Sequence, residues 1–92
     1  MELNLPPPVL DGANVLWWAW SGEEPFGLMS NEAVHGFAVC QYDSGQIYRF
    51  SCNSRWEVVN DMDHANEDSA KADNPLNYDE SRVEWRRYAR PM

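Results

Sequence analysis

The sequence predicts a small α+β domain: an antiparallel sheet of four to five strands with one short helix. Three observations lead there. Apolar and aromatic residues gather in short runs separated by turn residues, the pattern of strands. Asp43-Ser44-Gly45 sits between two such runs and marks a hairpin, so the neighbouring strands run antiparallel. One acid-rich stretch, residues 60–74, breaks the alternation and holds the single clear helix start. Ninety-two residues allow one core, and five Trp, four Tyr and three Phe are available to fill it.

Residues 1–14 contain Pro6-Pro7-Pro8 and then Asp11-Gly12. The proline run favours a stiff extended arm and Asp-Gly a turn, so 1–14 reads as a Pro-rich N-terminal arm and 15–92 as the α+β domain. Residues 15–20 form the first strand, with Val15, Trp17 and Ala19 on one face and Leu16, Trp18 and Trp20 on the other. Both faces are apolar, which predicts a strand covered on both sides. Residues 21–32 read as a loop, punctuated by Gly22, Pro25 and Gly27 and anchored by Phe26, Leu28 and Met29.

Residues 33–42 and 46–52 are the second and third strands. A three-residue hairpin loop sets Cys40 opposite Tyr48 and Cys52 opposite Gly36. The thiols then lie roughly 13 Å apart along the sheet at ~3.3 Å per residue, beyond the reach of a disulfide. Both are expected reduced, as in a cytoplasmic protein. Val34, Ala38, Cys40 and Tyr42 share a face with room for a packed helix. In the third strand Tyr48, Phe50 and Cys52 alternate with Arg49 and Ser51, which predicts a half-solvated strand. Residues 56–59 are a fourth strand candidate after an Asn53-Ser54-Arg55 turn. Asn66 caps a helix starting at Glu67, with Glu67 and Asp68 favourable in its first turn and Pro75 ending it. Residues 82–88 alternate as a strand, with Val83, Trp85 and Arg87 on one face. A short helix with Trp85, Tyr88 and Ala89 on one side is the competing reading.

Catalytic and metal motifs are missing. Counted from Asp61, a calcium loop fails at Ala65, Asn66 and Ala72. His35 and His64 are too far apart for a paired zinc motif. Odd spacing places His35 and Cys40 on opposite strand faces, and no glycine-rich phosphate loop exists. The expectation is a non-enzymatic chain without metal or cofactor, with a thiol enzyme as the remaining catalytic alternative. No basic-then-apolar leader and no bilayer-length apolar run are present, again as expected of a cytoplasmic protein.

Charge is the strongest functional signal. The net charge of -8 disfavours direct contact with nucleic acid or an anionic membrane. Residues 57–80 hold eight acids against Lys71 alone, a local charge of -7, whereas residues 82–90 carry +3. Such a block steers onto a basic protein surface, and neighbouring Trp residues supply interface anchors. The expected function is an acidic inhibitor of a basic protein partner, a toxin or a nucleic-acid enzyme. That profile is shared by bacterial immunity proteins, antitoxins and phage-encoded inhibitors of defence enzymes, and a toxin immunity protein is its expected form. The expected partner-binding residues are Trp56, Glu57, Asp61, Asp63, Glu67, Asp68 and Asp73. Arg82, Arg86 and Arg87 would weaken this reading by folding back onto the acids. The alternative is a small-ligand or metal-binding module using the Trp-rich strand or a 61–68 acidic loop.

Overall fold

The computed structural model describes residues 4–73 and 80–89, and in them short strands dominate. They are β1 (Val9–Leu10), β2 (Ala13–Trp20), β3 (Gly27–Met29), β4 (Glu32–Val34), β5 (Gly36–Gln41), β6 (Ile47–Cys52), β7 (Val58–His64) and β8 (Arg86–Arg87), with helix α1 at Glu67–Ala72. The main sheet is antiparallel in the order β1-β2-β5-β6-β7, and β8 adds to the free edge of β2 beside β1. β3 and β4 form a separate hairpin. This is the expected α+β class, a curled five-stranded antiparallel path with one short helix.

The central hairpin follows the expected register. Cys40 faces Tyr48 and Gly36 faces Cys52, and both cysteines are free and buried. Gly45 closes the turn at φ +98°, donating its N–H to Tyr42 O at 2.8 Å. The helix start also matches: the Asn66 side chain accepts from Ser69 N at 2.9 Å, leaving Glu67 and Asp68 in the first turn. Pro75 lies outside the described residues. Asn66→Ala is expected to cost about 1 kcal/mol, read as a lower urea midpoint at unchanged slope. An unchanged midpoint would show that packing alone holds α1.

Elsewhere the structure departs from the sequence pattern. A bulge at Leu16 sets Val15 opposite Cys40 but Trp17 opposite Val39. The extra residue reverses the alternation, so Val15 joins Trp18 on one face while Leu16, Trp17 and Ala19 take the other. The helix therefore does not lie on the small-residue face. Trp18, Phe50 and Trp56 fill the space over Ala38 and Cys40, and α1 sits on the opposite face, with Ala70 against Val39 and Ile47. That cover makes β6 buried on both sides, contrary to the half-solvated expectation: Arg49 is 3% exposed and Ser51 is buried too.

The expected 33–42 strand splits at His35, and its first part leaves the main sheet to pair with β3. Ser30 and Asn31 turn that small hairpin with positive φ at both positions, so the presumed 21–32 loop is irregular through Phe26 and ends in a short strand and turn. The presumed arm joins the sheet from Val9 onward, with Leu10 and Ala13 in the core. Val15 N donates to Pro8 O at 3.0 Å, but Pro6, Pro7 and Pro8 have no N–H with which to continue the ladder. β8 takes over that edge instead, and Tyr88 N donates to Leu16 O at 2.9 Å. Of the expected 82–88 strand only Arg86 and Arg87 pair, after a 3-10 turn at Glu80–Arg82.

Candidate functional site

The acid-rich stretch divides between the end of β7 and α1. β7 runs through His64 at the end of the sheet order, and α1 starts at Glu67, so residues 61–68 form no ligand loop. Composition suggested a loop, but period-two alternation governs the chain. Asp61 stands opposite Phe50 and Asp63 opposite Tyr48, while Met62 and His64 stand opposite Arg49 and Ile47. Asp61 and Asp63 therefore share the face of the Trp18–Phe50–Trp56 core, and Met62 and His64 share the helix side.

Curling of the sheet brings its two ends together. β1 and β7 line opposite walls of one open groove of about 510 Å³, and Trp56 and Glu57 belong to its lining. Three carboxylates stand on this lining: Asp11, Glu57 and Asp61, with Asp63 further along the same strand face. The charges act on their surroundings. The Tyr42 phenol, which donates to Asp11 O at 3.0 Å, is pushed above its usual range, first by desolvation and then by the charges of Asp11, Tyr48 and Asp61. Glu57 is held below the usual carboxylate range by the Asn53 amide at 2.7 Å and then by Arg55 at 2.8 Å. It stays ionised well into mild acid.

The structure divides the expected binding residues into two groups. Glu57, Asp61 and Asp63 stay with the groove face, joined by Asp11. Sequence reasoning read Asp11 only as a turn former, because nothing local shows that the sheet will curl. Glu67, Asp68 and Asp73 lie on the helix side. Glu67 accepts from Trp17 Nε1 at 2.8 Å. Asp68 is 97% exposed, 3.9 Å from Lys71 Nζ. Asp73 Oδ2 lies 3.1 Å from His64 Nε2, though not aligned for a hydrogen bond, and its main-chain oxygen receives Arg49. Trp56 is no free anchor. It is 5% exposed, donates from Nε1 to Asn4 O at 3.0 Å, and packs edge-on against Trp18.

Arg82, Arg86 and Arg87 point elsewhere. Arg82 donates to the main-chain oxygens of Pro25, Ser21 and Glu24. Arg86 lies 3.6 Å from Glu84 and over Trp18, and Arg87 lies over Trp17. Trp17 also holds Lys71 Nζ 3.8 Å from its ring centre, and Trp20 stacks on His35 at 5.4 Å. The Trp-rich strand thus presents rings that are already engaged.

The thiols are unsuited to nucleophilic work. Both cysteines are fully buried, and burial raises the Cys52 pKa, which keeps it protonated at neutral pH. A pair that the sequence did not signal joins Ser21 Oγ to His35 Nδ1 at 2.8 Å, with Gly22 O at 3.1 Å from the same nitrogen. Together with Ser21 N donating to His35 O, it ties the end of β2 to the β4–β5 junction. Among the described residues no three His, Cys, Asp or Glu side chains converge to hold a metal ion. No described helix is long and apolar enough to cross a membrane. Compared with known protein families, with curated proteins and with solved structures, the chain matches none.

Proposed function

We propose that this chain is a non-enzymatic acidic inhibitor that docks a basic protein partner, in the manner of a toxin immunity protein acting in the cytoplasm. The carrying observation is the set of carboxylates at the groove, Asp11, Glu57 and Asp61, continued along β7 by Asp63. Arg82, Arg86 and Arg87 are engaged away from them. With a net charge of -8 behind it, such an edge attracts a basic surface over about a Debye length and accelerates encounter.

The test begins with recovery of a basic partner from native lysate at low salt and its release at raised salt. The double reversal Asp61→Lys, Asp63→Lys is then expected to slow association with that partner by about tenfold or more at low salt, an effect that shrinks as salt rises. The double reversal Asp68→Lys, Asp73→Lys, on the helix side, serves as the matched charge control and is expected to change the rate far less. Equal rates for all three proteins at every salt concentration would refute the reading. So would a ligand-dependent rise in melting temperature with no protein partner present, which would turn the groove into a small-molecule site.

A further inference from the structure

We infer that the basic partner engages by strand addition: an extended Lys/Arg-bearing segment pairs with the free edge of β7 inside the groove. The inference rests on the inhibitor reading and specifies its mode of contact. Hydrogen-bond alternation in the sheet fixes which main-chain groups are available. Tyr42 N donates to Gln46 O, so Tyr42 and Gln46 form a hydrogen-bonded pair. Along the β5–β6 ladder the bonded pairs are then Cys40 with Tyr48 and Ala38 with Phe50. Ile47, Arg49 and Ser51 accordingly direct their main-chain groups toward β7, where His64, Met62 and Asn60 meet them. By the same alternation, Asp61 and Asp63 direct their N–H and C=O groups outward, away from β6. Among the described residues β7 ends the sheet order, so these groups form an open template for another strand.

The side chains identify the occupant. A strand paired with Asp61 and Asp63 places its opposite residues on the same face as the two carboxylates, where Lys or Arg gives favourable cross-strand pairs. The residue between them meets Met62, which is 38% exposed on the helix side and suits an apolar neighbour. The matching segment therefore alternates basic and apolar residues. A second copy of this chain fits badly, because antiparallel pairing of β7 about Met62 would set Asp61 directly opposite Asp63. The groove gives the incoming strand its place, since the β1 wall faces β7 across it.

The test uses the full chain and a short peptide alternating Lys and Val, with capped ends. Two versions carry backbone N-methyl groups, one on the lysines and one on the valines. The lysine main chain faces β7 in the proposed pairing, so methylation there is expected to weaken binding by about tenfold or more. Methylation on the valines faces away and is expected to leave affinity close to that of the parent peptide. Asp63→Pro removes an outward donor at an edge position that tolerates proline, and is expected to bind more weakly than Asp63→Asn. Equal binding by all three peptides overturns strand addition while the charge-based inhibitor reading stands. Binding by none also overturns it, and the carboxylates then serve to guard an open edge. Failure of the inhibitor reading is seen separately, in a recovered partner indifferent to charge reversal.

Discussion

Arg49→Ala is expected to destabilise the fold by about 3 kcal/mol, through orphaned main-chain oxygens and a lost packed stem. Arg49 stands in the middle of β6, 3% exposed, under helix α1. Its guanidinium donates to Ala70 O and Asp73 O at the end of that helix. It also lies 4.3 Å from the Phe37 ring centre and 5.2 Å from that of Trp85. Trp85 Nε1 donates to Lys71 O at 3.2 Å, so the last carbonyls of a six-residue helix depend on donors from outside it. A helix this short has little stability of its own and persists through such tertiary bonds. Truncation should thus loosen α1 and lower the melting temperature by roughly 12–24 °C. Arg49→Met keeps more of the packing and is expected to cost less than alanine. Arg49→Lys keeps the charge but loses the planar fork and the stacking. Urea melts followed by tryptophan fluorescence would rank the three. An alanine variant within about 0.5 kcal/mol of wild type would mean that this face is wet after all.

Arg49 also shows what the sequence could and could not convey. The alternation Tyr48, Arg49, Phe50, Ser51 is the usual mark of one wet face, and only the later arrival of α1 makes that face dry. Local chemistry was legible: Asp43-Ser44-Gly45 yielded the hairpin register, and Asn66 yielded the helix start, because each is decided within a few residues. The Leu16 bulge was not legible, since an extra residue in an all-apolar strand leaves no trace in the pattern. β7 was legible in principle. Asp61, Met62, Asp63 and His64 alternate, but acidic composition and β-strand preference point in opposite directions there. The groove needed the curled sheet to bring Asp11 from one end of it toward Asp61 at the other.

Gly36→Ala is expected to cost about 1–3 kcal/mol by overpacking, and the same substitution should disturb the groove. A Cβ at Gly36 would fall 2.5 Å from Trp56 Cζ3 and 2.6 Å from Cη2. The indole has little freedom to retreat. Its Nε1 is bonded to Asn4 O, and its ring packs against Trp18 and Trp20. Its backbone holds φ +60°, with Trp56 N donating to Asn53 O at 3.1 Å. Asn53 in turn fixes the loop, accepting from Arg55 N and Glu57 N and donating to Glu32 and Glu57. Relief of the clash must therefore shift the whole 53–57 turn, which carries Glu57 and leads directly into β7. A double-mutant cycle with Trp56→Leu checks the cause, since the added methyl meets far less in that background. The two costs should fall short of additivity by about 1 kcal/mol or more. Strict additivity would place the cost of Gly36→Ala somewhere other than the indole. If the turn does move, Gly36→Ala should also weaken partner binding in protein that remains folded, although Gly36 itself is buried and carries no charge.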